Sequence, residues 1–502
     1  MEKIKRRVFF WFLVLLFFII APTLILQAKG YRFDWRRGVF VHSGTISFKS
    51  NPQTITVNLN EVPAETSNLN RINSSFNISG LLPADYKIEI SAPDFYSWNK
   101  KIDVHSGVSS EFWNIILTRN NYEKTEYSET AGIEKFFTSP KNHSIAFTTN
   151  TDQNLFVKIL ELNNETITGD YDFPGWKLLD EEKKENIEWS PEENYLSVPV
   201  EKKIIEENNN PQSISLQNST RYAYYIIDLS SGNTLNLNNF LNKKEIRHVR
   251  WDPKEKGYLF FLEGDSLFRM NVNDSSDMVL IADNTSAFDL SYSSVYYLQT
   301  PNNLVFKTSL NGQAERTQIT NKFPETSNFV VEKIILYDET RIAFLDQARN
   351  LFIYNKGEHD KYFSKLGTEI LEMHFSDDGK KLLFWNSNEI SIYFARDWTV
   401  QPTRQENDLN NITRYSETLK NIQWYKDYEH IVFSVGKYAK IIELDARDHR
   451  NCLDLISTEF DTPFINHNHS LEKLFFTDQK NSQTFLNSIV FPEPTPILGI
   501  GG

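Results

Sequence analysis

One hairpin, rewritten at intervals down the chain, limits the possible folds more than any other feature of the sequence. It is seen in Phe137-Thr-Ser-Pro-Lys-Asn-His-Ser-Ile-Ala-Phe147, Trp189-Ser-Pro-Glu-Glu-Asn-Tyr-Leu-Ser197 and Trp251-Asp-Pro-Lys-Glu-Lys-Gly-Tyr-Leu-Phe-Phe261. Phe375-Ser-Asp-Asp-Gly-Lys-Lys-Leu-Leu-Phe384 and Trp424-Tyr-Lys-Asp-Tyr-Glu-His-Ile-Val-Phe433 repeat it. Each copy is an aromatic at a strand end, a polar turn and a second, apolar strand. A third apolar strand follows each, as at residues 155–162, 224–229, 267–272, 390–394 and 441–444. Weaker copies fill the gap between Trp251 and Phe375, around residues 295–306 and 341–354, and a last one runs from Pro463 to Phe491. A spacing of roughly 40–60 residues suits blades of four-stranded sheet, not helical solenoids. The expectation is a β-propeller over residues 122–494 with about eight blades, seven being the alternative.

A single sheet of this kind cannot bury both of its faces, so copies must stack on one another. Trp189, Trp251, Phe375 and Trp424 are expected to fill the space between blades. The last copy runs out without a fourth strand. Residues 122–130, just ahead of the first copy, are placed to supply it and close the ring.

Residues 8–26 form the second constraint: 19 residues without a charge, covering roughly 28 Å as a helix, close to the hydrocarbon thickness of a bilayer. A cleaved signal peptide would carry a shorter apolar core and a small-x-small site. Here a cut after Ala28 would leave Leu26 three residues before the bond, and no polar stripe marks a buried core helix. The expectation is one transmembrane anchor over residues 8–27. Lys3, Lys5, Arg6 and Arg7 on the short flank assign residues 1–7 to a cytoplasmic tail, by the positive-inside rule, and the bulk of the chain to the extracytoplasmic side. Lys29, Arg32, Arg36 and Arg37 on the far flank weaken the charge asymmetry.

Between anchor and repeats the hydrophobic period is two: Ile46 and Phe48, then Ile55, Val57 and Leu59, then Tyr86, Ile88 and Ile90. These are half-buried strands of a small β-sandwich over residues 30–119. Gly44-Thr-Ile-Ser-Phe-Lys-Ser-Asn-Pro52, the run from Leu81-Leu-Pro-Ala-Asp-Tyr86 through Pro93-Asp-Phe-Tyr-Ser-Trp98, and Ile102-Asp-Val-His-Ser-Gly107 resemble the strands and turns of a PEGA domain. Ala84-Asp85 stands where that family has Gly followed by an acid, and the loop of residues 60–75 departs from its pattern. The resemblance implies a non-catalytic spacer or adhesion module of bacterial envelope proteins. The repeats resemble the WD40-like hairpins of TolB-type propellers, Phe375 to Lys380 most closely, and Tyr225-Ile-Ile-Asp-Leu-Ser-Ser-Gly232 resembles the strand and turn that follow. Together the two resemblances imply a PEGA domain-containing bacterial envelope protein with a WD40-like propeller.

The search for chemistry yields little. A Gly-x-Ser-x-Gly elbow, a P-loop and a His-Glu-x-x-His helix are absent from the sequence. His467 and His469 with nearby Asp461 are the nearest thing to a metal cluster, but are read as part of a polar turn. The oxygen-rich Asn273-Asp-Ser-Ser-Asp277 and the pair Asp377-Asp378 are read as solvated turns. Tyr96 and Trp98 are weighed as a glycan platform against an aromatic cap on the sandwich core, and the cap is preferred. No catalytic, cofactor or metal residue is assigned, and the ligand-binding residues stay open. A net charge of −13 without a basic stripe argues against nucleic acid. Cys452 is the single cysteine, so no intrachain disulfide can form.

Residues 201–220 read as a polar, Asn-rich loop and 495–502 as a flexible tail. The resulting expectation is a single-pass, membrane-anchored protein of the cell envelope, non-enzymatic, presenting a propeller to a protein or glycan partner. The alternative is a propeller-based carbohydrate-active enzyme, a glycosidase or lyase.

Overall fold

The computed structural model describes residues 2–70, 75–151, 153–179, 186–203, 221–243, 245–321, 330–358 and 362–494. The expected Asn-rich loop from residue 204 onward and the expected tail at 495–502 lie outside these.

The chain begins with a helix, Glu2–Ala28, none of whose apolar residues is buried. It is long and apolar enough to cross a membrane. A two-stranded hairpin follows, Tyr31–Asp34 against Val39–His42. Gly44 then opens a sandwich of two four-stranded sheets. One holds Ser109–Ile116, Gly44–Asn51, Ser75–Leu81 and Ser67–Asn70 in that spatial order; the other holds Val62–Pro63, Thr56–Leu59, Ala84–Ser91 and Trp98–Val104. The alternating apolar residues read from the sequence, Ile46, Phe48, Val57, Ile88 and Ile90, are all buried between the two sheets. The strand Ser109–Ile116 returns parallel to Gly44–Asn51.

From Thr125 to Val490 the described residues form eight further antiparallel sheets. Seven are consecutive in sequence, starting at Ile133, Trp176, Ile246, Thr285, Val331, Glu372 and Leu419. The eighth takes three strands from the end of the chain, Ile465–Asn468, Lys473–Lys480 and Gln483–Val490, and its fourth from the beginning. Thr125, Glu126 and Tyr127 pair with Ser488, Asn487 and Leu486. The sequence reading of residues 122–130 as the closing strand agrees with this pairing.

The hydrophobic clusters define how the sheets stack. Every cluster in this region draws on two successive sheets: Val157 with Val198, Tyr224 with Phe261, Phe260 with Val295, Tyr296 with Phe344, and so on to Val432 with Leu474. The last joins Phe475 and Leu486 of the eighth sheet to Phe136 and Phe147 of the first. A stack whose final member packs on its first is a closed ring, so the body is a β-propeller. Its cores lie between sheets, as the repeat argument required.

The hairpin motif serves two purposes. The indole N–H of Trp189 donates to Phe137 O at 3.0 Å, that of Trp251 to Glu188 O at 3.1 Å, and that of Trp424 to His374 O at 3.2 Å. Each tryptophan thereby fills an inter-sheet core and ties its first strand to the end of the preceding sheet's first strand. A serine directly after the aromatic, or two places after it in the Phe137 copy, is buried and accepts from the backbone N–H five residues on: Ser139 from Ser144, Ser190 from Tyr195, Ser376 from Lys381, at 3.0–3.1 Å. That bond closes the turn, which explains why Ser recurs there. Where Asp252 replaces Ser, Oδ1 accepts from Lys254 and Glu255 instead.

The sandwich is fused to the ring. Loops of the sixth and seventh sheets, residues 395–408 and 444–451, close over its strands Trp98–Val104 and Ser109–Ile116. Lys100, with a fully buried side chain, meets Glu443 Oε1 at 2.7 Å and donates to the carbonyls of Asp445, Arg447 and His449. Trp98, 2 % exposed, donates its indole N–H to Glu443 Oε2 at 2.9 Å. Arg447 lies over the Phe112 ring, 3.8 Å from its centroid, and donates to Glu111 O at 2.7 Å. Arg119 grips Glu493 through two nitrogens. With its charges paired and apolar groups such as Ile116 and Tyr122 sharing a core with the seventh and eighth sheets, the junction behaves as one solid piece.

Candidate functional site

The first strands of successive sheets line a common cavity at the ring's centre, of about 390 Å³. His248 and Arg250 come from the third sheet, Phe288 and Asp289 from the fourth, residues 332–336 from the fifth, and Met373, His374 and Phe375 from the sixth. These positions share a local cause. Ring-facing strands carry β-bulges between Arg247 and Arg250, Thr285 and Ala287, and Val331 and Lys333. A bulge turns a side chain off its alternating face and toward the opening. At the first bulge His248 takes a left-handed φ of 53°, uncommon for a residue with a side chain.

Charge alternates along this arc. Arg250 Nη1 lies 3.5 Å from Glu188 Oε2, and Lys333 Nζ lies 2.7 Å from Glu372 Oε2. Asp289 sits between the two cations and accepts from Leu290 N at 2.8 Å and from Leu336 N at 2.9 Å, across two sheets. Burial pushes its carboxyl above the usual range, against the pull of those amides and of Arg250 and Lys333. Glu372 is moved the other way: burial raises it, but Lys333, His374 and the Met373 N–H outweigh that and hold it low. His374 is open to the cavity yet ringed by protein, and the loss of bulk water depresses its imidazole despite Glu372. Its ring stands edge-on to Trp385, with centroids 5.4 Å apart.

Asp289 and Glu332 line the cavity with two permanent cations and two imidazoles, and Glu188 and Glu372 pair with those cations. Such a wall repels a polyanion and offers both donors and acceptors to a neutral or cationic polar ligand.

The structure disperses the residues singled out from sequence. His467 is not in a polar turn: it lies on the strand Ile465–Asn468, 3 % exposed, because Gln423 Oε1 accepts its backbone N–H and Tyr425 and Phe491 cover its ring. Its Nε2–H donates to Phe491 O at 3.0 Å, which leaves Nδ1 bare to accept from His469 Nδ1–H at 2.9 Å. Among the described residues no group of three or more His, Cys, Asp and Glu is placed to hold a metal. Asp274, expected in a turn, opens the strand Asp274–Ala282 and accepts from Ser276 N and Oγ, while Asp378 accepts from Ser376 Oγ and Lys380 N within a turn. Trp98 is sealed in the junction while Tyr96 is exposed, so the two do not form one platform.

Sequence reasoning missed the central arc. A signal was present: the residue before the strand-end aromatic is polar in Glu188-Trp189, Arg250-Trp251, His374-Phe375 and Gln423-Trp424. A side chain one place before an inter-sheet tryptophan points to the opposite face.

No protein-family model matches this chain, and no curated protein matches it. Solved structures that it is similar to include the β-propeller domain of Cps50 (Swd1) from Myceliophteria thermophila, at 9% identity over 74% of this chain and 98% of that one, TM-score 0.38. The Dos1 propeller is matched at 10% identity over 73% and 95%, TM-score 0.45. Dipeptidyl peptidase 4 of Porphyromonas gingivalis is matched at 8% identity over 70% of this chain and 56% of that one, TM-score 0.42. The architecture stands on the strand pairing and the closing cluster described above.

Proposed function

We propose that this chain is a non-enzymatic, membrane-anchored scaffold of a bacterial cell envelope, built as an anchor, a PEGA-like stalk and an eight-bladed propeller that binds a protein or glycan. One observation carries the reading: a charge-alternating polar cavity at the ring's centre, in a body locked rigidly to the module beside the anchor. Locking fixes the direction in which the ring faces relative to the membrane, which suits presentation of a surface. The helix Glu2–Ala28 is the single-pass span, with its basic N-terminal flank in the cytoplasm and the body outside.

The test is a glycan and peptide array probed with residues 30–502, beside cross-linking and capture from envelopes with the full chain. A recurrent ligand whose binding falls at least tenfold in Lys333→Met or Arg250→Ala supports the reading. A repeated blank on both arms overturns it.

A second reading draws on one observation: Asp289, which lines the cavity, and Glu372, which pairs with the cavity's Lys333, are pushed in opposite directions, as in an acid–base pair. It makes the chain a glycosidase or lyase. Turnover of a polysaccharide panel, abolished by Asp289→Asn, would support it, and no turnover across the panel would remove it.

A further inference from the structure

The hairpin after the helix has an uncovered apolar face. Phe33 and Phe40 pair across the two strands with ring centroids 5.1 Å apart, and Trp35 stands edge-on to Phe33 at 4.8 Å. Trp35 is 86 % exposed, and Phe40 and Val39 are exposed as well. A two-stranded ribbon with its aromatics in water is marginal by itself.

Its turn, by contrast, is well built. Asp34 is buried and accepts from Arg36 N at 2.8 Å and Arg37 N at 3.3 Å, and Gly38 N donates to Asp34 O at 2.7 Å with a left-handed φ of 69°. The strand face that carries Arg32 is turned to the sandwich, where its guanidinium lies beside Gly80. The tip therefore presents Trp35, Arg36 and Arg37 outward.

Position decides what covers this face. Gly30 N donates to Gln27 O at the helix end, and Ser43 returns to the same residue, donating N–H and Oγ–H to Gly30 O at 2.8 and 2.7 Å. Both ends of the hairpin are thus stapled to the helix terminus. The strands are four residues each, so the tip lies within about 20 Å of that terminus. Tryptophan is the residue most at home at headgroup depth, and arginine beside it matches anionic phosphates.

We propose that residues 31–42 are a membrane foot. Trp35, Phe33 and Phe40 enter the headgroup–acyl boundary of the leaflet from which the helix emerges, and Arg36 and Arg37 hold anionic phospholipid headgroups. This rests on the reading of Glu2–Ala28 as a membrane span. The foot removes the freedom of a single helix to tilt and spin, and passes the orientation of the membrane to the sandwich.

The test uses the full chain in a Cys452→Ser background, with one nitroxide at Leu16→Cys, Phe40→Cys or Lys256→Cys, the last on an exposed turn of the ring. The protein is reconstituted in phosphatidylcholine vesicles with and without phosphatidylglycerol, and collisions with oxygen and a water-soluble nickel chelate are read. Expected are a deep label at 16, a label at 40 at least threefold less accessible to nickel than at 256, and further shielding when phosphatidylglycerol is present. Arg36→Gln with Arg37→Gln should abolish that last increment, and Trp35→Ser should return the label toward water. A label on Arg37→Cys repeats the reading should Phe40→Cys fail to fold. A deep label at 16 with 40 as wet as 256 overturns the foot and leaves the anchor standing. A wet label at 16 removes the anchor first. Equal shielding in both vesicle types overturns the anionic partner.

Discussion

The junction between sandwich and ring and the cavity at the ring's centre are built from the same side chains and differ in their access to water. At the junction, Lys100 and Glu443 are sealed, and Trp98, Asn451 and three backbone carbonyls use up their bonding capacity. In the cavity, Lys333 and Glu372 make a pair of the same length with about a fifth of each side chain exposed. A sealed pair cannot exchange its partner for a ligand without exposing a bare charge to protein, whereas a wet pair can. The junction's charges therefore hold the shape, and the cavity's charges keep contact with solvent, as the proposed binding role requires.

The sharpest way to break this contrast is to remove the lysine at the junction. Lys100→Met should cost about 3–5 kcal/mol, because the buried Glu443 is left without its cation. The check is the urea midpoint of the body. Lys100→Met with Glu443→Gln should recover part of the loss, since the stranded charge goes with it. If Lys100→Met moves the midpoint no more than a surface change does, the junction is not sealed.

Two imidazoles extend the comparison to pH. His467, on the junction side, is depressed to about 3 by burial, and its bare Nδ1 faces His469. Since the unfolded chain takes up a proton near pH 6.5 and the folded one does not, stability falls as pH drops through that window. The share lost between pH 7 and 4 is about 3 kcal/mol. His469 is also depressed and acts in the same direction, whereas His430 is raised: Asp427, 2.8 Å away, overcomes its burial, and its contribution is lost instead as pH climbs past its folded value. Unfolding curves at pH 7 and 4 should show a clearly shallower dependence in His467→Asn than in the parent. His374 is depressed by burial too, so His374→Asn should shift the slope in the same direction.

How much of this was legible follows the same division. The ring was, since a hairpin repeated with its Trp and Ser in place encodes an inter-sheet core and a closed turn locally. The closing strand was too, through the missing fourth strand of the last copy. The sandwich core could be read from period-two runs. Lys100 could not, because it falls on the inward parity of Trp98–Val104, with Trp98, Ile102 and Val104, where a charge has no visible partner, and the carbonyls that satisfy it lie on a loop some 345 positions away. His467 was misread for a similar reason: polar neighbours suggested a turn, while Phe491 and Tyr425 cover it from distant segments. The central arc is composed of residues unremarkable one by one. Only the ring brings Arg250, Asp289, Lys333 and Glu372 to one place.

Between the two regions lie the tryptophans that face the inter-sheet cores and bond to the strands lining the cavity. Trp424→Phe keeps most of the apolar volume but leaves His374 O without the indole donor, so a loss of about 1–2 kcal/mol is expected. Because that carbonyl belongs to a cavity residue, ligand affinity should weaken along with the melting temperature. An unchanged affinity would show the two roles to be separable.

The smallest effect should come from the cavity pair itself. Lys333→Met removes the 2.7 Å contact with Glu372, but water reaches both ends, so the cost should stay near 1 kcal/mol or below. With Lys333 gone, the carboxyl of Glu372 loses the cation that holds it low and should titrate at a higher pH. Carbon-13 NMR of that carboxyl, in the parent and in Lys333→Met, reads this directly. A rise with little loss of stability is what a wet, ligand-ready pair predicts. A loss as large as that of Lys100→Met would mean that the cavity is as sealed as the junction, and the distinction between the two regions would collapse.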